Sequence, residues 1–244
     1  MFIERVRLPA SIPDKWPFTM PPVRQLAAEW LTFDRSVTFL VGENGSGKST
    51  LIEALADAVK INTEGGKAGT RYSSTGEKTA LGSALLTDLT SAGLRMVAGP
   101  RHAKAGFFLR AETLFNLARN VSGRAGFWDA DLEQQSHGEG FFTVLESMFS
   151  RPGLYLLDEP EAALSFISCL RLVDFLHELG RSGSQVICAT HSPIIASTPG
   201  AEIIELGTHG LRRTEWEDLE IVEHWRHYLQ NPFSYLRHFI SAPP

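Results

Sequence analysis

Cysteine is almost missing: Cys169 and Cys188 are the only two in 244 residues, and each sits in an apolar run of its own. Two lone thiols cannot make the disulfide framework that holds small secreted folds together, so a reducing compartment is expected. Long apolar runs are missing too. No window approaches the roughly 20 apolar residues that a membrane-spanning helix needs. The first residues, MFIERVRLPASIPDKW, carry acids and prolines where a secretory leader would be unbroken and apolar, so a cytoplasmic protein is expected. Nor is there a basic excess. Lys and Arg number 23 against 28 Asp and Glu, a net charge of −5. That balance argues against a surface built for bulk nucleic acid, where phosphate contacts supply most of the affinity, although it is compatible with a locally basic groove. No internal repeat stands out.

What remains is ordinary globular composition, 43% hydrophobic and 21% charged. It suits one large domain, or one domain with a subdomain inserted into it. Phe2 to Leu8 alternates apolar and polar residues, the pattern of a half-buried antiparallel edge strand. Pro9, Pro13, Pro17, Pro21 and Pro22 then predict loop or sheet edge. Val37–Val41 reads as a buried strand, Gly42 to Gly47 as a glycine-rich turn, and Thr50–Val59 as a helix. Asn62 to Thr79 has the composition of an exposed loop. Within 80–150 several segments carry helical spacing, Ala111–Ala118 among them. Further strands are predicted at Leu154–Leu157, Gln185–Ala189 and Glu202–Leu206, with a helix from Leu164 to Leu179. The tail from about Glu215 to Ile240 reads as two amphipathic helices parted at Asn231-Pro232. Strands alternating with helices imply an α/β fold with a mainly parallel central sheet covered on both faces.

The segment Gly42-Glu43-Asn44-Gly45-Ser46-Gly47-Lys48-Ser49 fits G-x-x-x-x-G-K-[ST]. Glycines there let successive backbone N–H groups point at phosphate oxygens, and the helix that follows adds the positive end of its dipole. In this pattern Lys48 reaches the β- and γ-phosphates and Ser49 ligates Mg²⁺. A chance match in a chain this long has odds of roughly one in a hundred, and the strand leading in and helix leading out remove most of that. A phosphate loop of this kind needs a second strand that brings an acid to the metal. Leu154 to Leu157 ends in Asp158-Glu159-Pro160, and ligands in an open parallel sheet sit beyond the carboxyl ends of strands. Asp158 is the candidate for the Mg²⁺ shell and Glu159 for the base that polarises the attacking water.

These residues resemble the Walker A and Walker B segments of the ABC ATPase superfamily, from Gly42 through Thr50 and from Leu157 through Pro160. The resemblance spans roughly Val37 to Leu206 and implies a P-loop NTPase fold with an inserted helical subdomain at about 62–150, all within a single domain over 1–244. It implies Glu159 as catalytic base. It also implies that His191, in Ala189-Thr190-His191-Ser192-Pro193, is the switch histidine that meets the γ-phosphate. Glu161-Ala162-Ala163-Leu164-Ser165 looks like the loop that crosses the dimer interface. Gln135 to Gly140 stands where the family's signature sequence belongs, so Ser136, His137, Gly138 and Glu139 would act across a homodimer on the partner's ATP. No glutamine occupies the region of the Q-loop, Gly106 to Glu112; Glu112 is a candidate Mg²⁺ acceptor there, and Arg110 a candidate ion-pair partner. Trp16 and Phe18 are candidates for adenine stacking.

The wording Asp158 to Ser165 departs from that of transporter subunits and is more similar to stand-alone ATPases near the RecF and SMC proteins, without a coiled-coil arm. The expected function is a soluble, self-dimerising ATPase acting as a switch on a protein partner. A transporter ATPase subunit and a RecF-like ATPase working on nucleic acid are the alternatives.

Overall fold

The most apolar runs of the chain become the centre of its main sheet. The structure is a computed structural model that describes residues 1–63, 66–67, 78–100, 105–110, 137–162 and 164–237; at 66–67, 137–140 and 144 it describes the backbone alone. In chain order the described elements are β1 (Ile3–Arg7), α1 (Pro21–Ala28), β2 (Leu31–Thr32), β3 (Val37–Val41), α2 (Lys48–Ala58), β4 (Gly66–Lys67), α3 (Ala80–Ala84), β5 (Leu86–Leu89) and α4 (Ser91–Ala98). They continue with β6 (Gly106–Arg110), α5 (His137–Met148), β7 (Leu154–Asp158), α6 (Phe166–Arg181), β8 (Gln185–Thr190), α7 (Pro193–Ala196), β9 (Glu202–Gly207), β10 (Gly210–Thr214), α8 (Glu220–Gln230) and α9 (Pro232–Leu236).

Seven strands form the main sheet in the order β10-β9-β3-β8-β7-β6-β4. The five from β9 to β6 run parallel, and β10 and β4 close the two edges antiparallel. Strands β3, β7 and β8 are buried at every residue, as expected where helices cover both faces. Alternation sorts their side chains. Leu40, Leu156, Ile187 and Ile204 face a core filled by α1, α2 and the N-terminal sheet. Phe39, Tyr155, Cys188 and Ile203 face the other, filled by Phe141 and Leu145 of α5 and Leu172 and Leu176 of α6.

The N-terminal alternation forms a strand, but not at an edge. β1 is the middle strand of a separate three-stranded antiparallel sheet, β2-β1-β5. Its Ile3 and Val6 are fully buried against the main core. Gln185, itself fully buried, ties the two sheets together. Its Oε1 accepts from the backbone N–H of Phe2 at 2.6 Å and of Ile3 at 2.8 Å, while its Nε2 donates to the Ile3 carbonyl at 2.9 Å.

Other differences from the sequence reading have local causes. The proline stretch is not all loop: α1 starts on Pro21-Pro22, because proline at the first helical positions gives up an N–H that has no partner there anyway. Within 62–150, β5 joins the N-terminal sheet and β6 the main sheet, so that span contributes to both sheets as well as carrying helices. Ala111–Ala118 lies outside the described residues.

Replacing Gln185 by leucine should strand two buried donors and one acceptor. We expect a loss of about 2–4 kcal/mol in urea unfolding; an unchanged midpoint would mean that this bridge does not hold the sheets together.

Candidate functional site

The main sheet ends level on one side. Val41 pairs with Thr190, Asp158 with Ala189 and Arg110 with Asp158, so the loops after β3, β7 and β8 and the last residue of β6 meet along one edge.

The loop after β3 is shaped by its glycines. A Cβ on Gly42 would stand 2.4 Å from the Leu206 carbonyl oxygen, and Gly45 and Gly47 hold φ of +84° and +99°, which other residues rarely adopt. Gly47 caps α2, so the first turn of that helix opens into the loop. Glu43, Asn44 and Gly45 form an exposed crest. Lys48 is 3% exposed, and its Nζ donates to the carbonyls of Gly42 at 2.7 Å and Glu43 at 3.0 Å. Beside it the buried Ser46 Oγ has no hydrogen-bond partner, an orphaned polar atom within the glycine-rich loop. Such a loop, with a buried ammonium and a helix N-terminus, suits a phosphate chain.

In the first turn of α2, Ser49 Oγ donates to Asp158 Oδ1 at 2.9 Å. These are hard oxygen donors beside the phosphate cradle, a set that fits Mg²⁺, which takes few protein ligands and completes its shell from phosphate and water. Burial pushes the Asp158 carboxyl above the usual carboxylate range; the Ser49 hydroxyl and the Arg110 guanidinium oppose this, and the charges of Glu159 and Glu53 add to it. Arg110 stands at 3.7 Å from Asp158 Oδ2 and pairs with Glu53 on α2.

Glu159 leaves β7 with φ of +48°, a left-handed conformation that is strained for a residue with a Cβ. Its N–H donates to the Ala189 carbonyl at 2.9 Å, which locks the turn to β8. The turn aims the carboxylate back over the site: Glu159 Oε1 lies 3.7 Å from Lys48 Nζ and 3.3 Å from His191 Nδ1. Two clefts flank the loop. One of about 420 Å³ is lined by Gly42 to Ser46, His191 and Glu205 to His209. The other, about 260 Å³, lies between Trp16, Met20, Gly45, Gly47 to Thr50 and Glu159.

The structure thus brings together Lys48, Ser49, Asp158, Glu159 and His191. It separates the two aromatic candidates: Phe18 is 3% exposed and belongs to the core, whereas Trp16 is 71% exposed and lines the smaller cleft. Ser136 and Glu112 lie outside the described residues; His137, Gly138 and Glu139 begin α5 as backbone. Glu161, the first residue of the segment Glu161 to Ser165, is turned inward, 7% exposed, and accepts from the Thr190 hydroxyl and from the His191 N–H at 3.2 Å. An acid set between Pro160 and two alanines was the available signal.

A phosphate loop on a parallel sheet, with an acid-ended neighbouring strand, defines a P-loop fold, and it is the fold shared by ABC ATPase and SMC head domains. Two family models match: "AAA domain" over residues 23–81, and "AAA domain, putative AbiEii toxin, Type IV TA system" over residues 103–197. The zinc import ATP-binding protein ZnuC of Vibrio cholerae is 27% identical over 180 residues, 71% of this chain and 64% of that protein. The ZEB2-regulated ABC transporter 1 of Gibberella zeae is 25% identical over 174 residues, 65% of this chain and 12% of that protein. The chain therefore spans less than two thirds of either relative. Among solved structures, the SMC head domain from Thermotoga maritima matches with a TM-score of 0.51 at 17% identity, covering 88% of this chain and all of that one. The structure of cbiO1 from Clostridium perfringens, part of the ABC transporter complex cbiONQ, matches with a TM-score of 0.50 at 16% identity, covering 87% of this chain and 91% of that one. Both likenesses describe the fold.

Burial raises the Glu161 carboxyl above the usual range, with the Thr190 hydrogen bond and the nearby His191 pulling the other way. A carboxyl raised in the fold contributes its full stability while it is protonated in both states, and loses it as pH rises through the raised value. Glu161→Gln should therefore raise Tm by about 2–4 °C at pH 8 and by little near pH 4. Equal shifts at both pH values would rule out buried charge as the source.

Proposed function

We propose that this chain hydrolyses ATP with Mg²⁺ when two copies meet face to face, and that the cycle works as an ATP-driven switch on a protein partner. The observation that carries the reading is the convergence of one ammonium, two carboxylates and one imidazole beside a phosphate cradle. Glu159 Oε1 is within 3.7 Å of Lys48 Nζ and 3.3 Å of His191 Nδ1, while Ser49 and Asp158 are joined at 2.9 Å.

In this reading the amides of Gly42 to Thr50 grip the triphosphate and Lys48 neutralises its β- and γ-oxygens. Ser49 and Asp158 would hold Mg²⁺, which draws charge from the same oxygens when bound. Glu159 takes a proton from the water that attacks the γ-phosphorus, the bond to the β–γ bridging oxygen breaks, and ADP and phosphate leave. His191 meets the γ-phosphate and senses its departure. Trp16, exposed at the lip of the smaller cleft, stacks on adenine. Ser136 and Gly138 of each copy complete the site of the other, and the use of the same surface by both copies makes the dimer two-fold symmetric.

A second reading, the ATPase subunit of a membrane transporter, is favoured by the likeness to a zinc import ATP-binding protein. Copurification with a membrane protein would support it. Turnover stimulated by DNA or RNA would point instead to a RecF-like role.

Glu159→Gln should bind ATP, lose turnover by about 10²-fold or more, and run as a dimer on a sizing column in ATP; wild-type turnover in this variant would remove Glu159 as the base. Trp16→Ala should weaken ATP binding roughly tenfold without changing turnover at saturation. An unaltered Kd would place the adenine elsewhere.

A further inference from the structure

Glu161 plays no part in the chemistry proposed above, yet it is the most demanding side chain near the site. Its carboxyl is 5% exposed. One oxygen, Oε1, accepts from the Thr190 hydroxyl and from the His191 N–H at 3.2 Å, and it lies 3.8 Å from His191 Nδ1. The other, Oε2, is buried without a hydrogen-bond partner. A buried carboxyl with a bare oxygen destabilises the fold unless its remaining bonds are needed. Those bonds all run to two residues, Thr190 and His191, at the end of β8.

The arrangement is a relay of position. The Thr190 hydroxyl donates to Glu161 and accepts from the Ser192 N–H at 3.0 Å, so the backbone from 190 to 192 is held from both sides. The His191 ring then has one carboxylate oxygen at 3.3 Å, from Glu159, and a second at 3.8 Å, from Glu161, both beside Nδ1. Both oxygens face Nδ1 as acceptors, so they favour the tautomer with its proton on Nδ1. The ring itself is half exposed, at 46%, and would have freedom to turn if this backbone were loose.

We propose that Glu161 is a positioning residue that holds His191 against Glu159, fixing both the place and the tautomer of the imidazole. The proposal rests on the ATPase reading for its consequence in turnover, but not for its structural content. It acts through the Oε1 acceptor bonds, which an amide oxygen can also make and an apolar side chain cannot.

The test compares Glu161→Gln, Glu161→Leu and Thr190→Val. In 15N-histidine-labelled protein, with the His191 signals assigned by their loss in His191→Asn, the wild type and Glu161→Gln should show Nδ1 as the protonated nitrogen. Glu161→Leu and Thr190→Val should shift His191 toward the Nε2-protonated form common in free imidazole. In ATPase assays the Leu variant should lose about 10²-fold in kcat with KM for ATP within roughly twofold, the scale expected when a reacting group is displaced by about 1 Å, and the Gln variant should stay within about threefold of wild type. A Leu variant that keeps the wild-type histidine signals would overturn the proposal. So would a Gln variant as impaired as Leu, since the acceptor oxygen would then not be the working part. A wild-type chain that hydrolyses no ATP would defeat the ATPase reading alone, because the histidine spectra still report on Glu161.

Discussion

The register of the parallel strands is the constraint on which the site depends. Val41, Thr190, Asp158 and Arg110 belong to four different strands, and they become neighbours because β3, β8, β7 and β6 pair without offset. A slip of one residue would turn every side chain of a strand to the opposite face. Here that would drive Tyr155 and Leu157 into the core that holds Leu154 and Leu156. Packing on two faces therefore fixes the level of the strand ends to within a residue. The hydrogen bond between Ser49 and Asp158 then needs only the first turn of α2 to reach its partner. Accuracy at the polar edge is inherited from apolar packing below it.

Much of this was legible because the relevant residues obey local rules. Val37–Val41, Leu154–Leu157 and Gln185–Ala189 are short, apolar and bounded by turn residues, and all three lie in buried strands of the parallel sheet. The phosphate loop was legible because each glycine answers a local backbone demand, such as the φ of +99° at Gly47. What could not be read was whatever depends on distant partners. β1 is central to its own sheet because β5, more than 80 residues later, pairs with it. Gln185 looks like an ordinary polar strand residue until the N-terminal backbone arrives to meet it. Trp16 and Phe18 are two positions apart and chemically alike, yet one is exposed beside the loop and the other is buried. Composition holds no signal for that choice.

The site is also where the fold departs from its own economy. Elsewhere among the described residues, the fully buried polar side-chain atoms have hydrogen-bond partners, as those of Gln185 do. At the carboxyl edge of the sheet, Lys48, Asp158 and Glu161 are all less than 9% exposed, and Glu159 adopts a left-handed backbone. Burial opposes ionisation of Asp158 and Glu161. Such terms work against stability, and they persist where the surrounding structure over-determines them.

That over-determination has a visible source. Each strained or desolvated group is anchored to an element buried on both faces: Glu159 through its N–H to Ala189, Glu161 through Thr190, and Asp158 through its place at the end of β7. None is held by a surface loop alone. A group on a mobile loop would relax into solvent and recover its ordinary ionisation. Held on rigid strand ends, these carboxyls keep their places without reorganising when charge develops nearby, which is the condition under which fixed charges and dipoles act most strongly on a reaction.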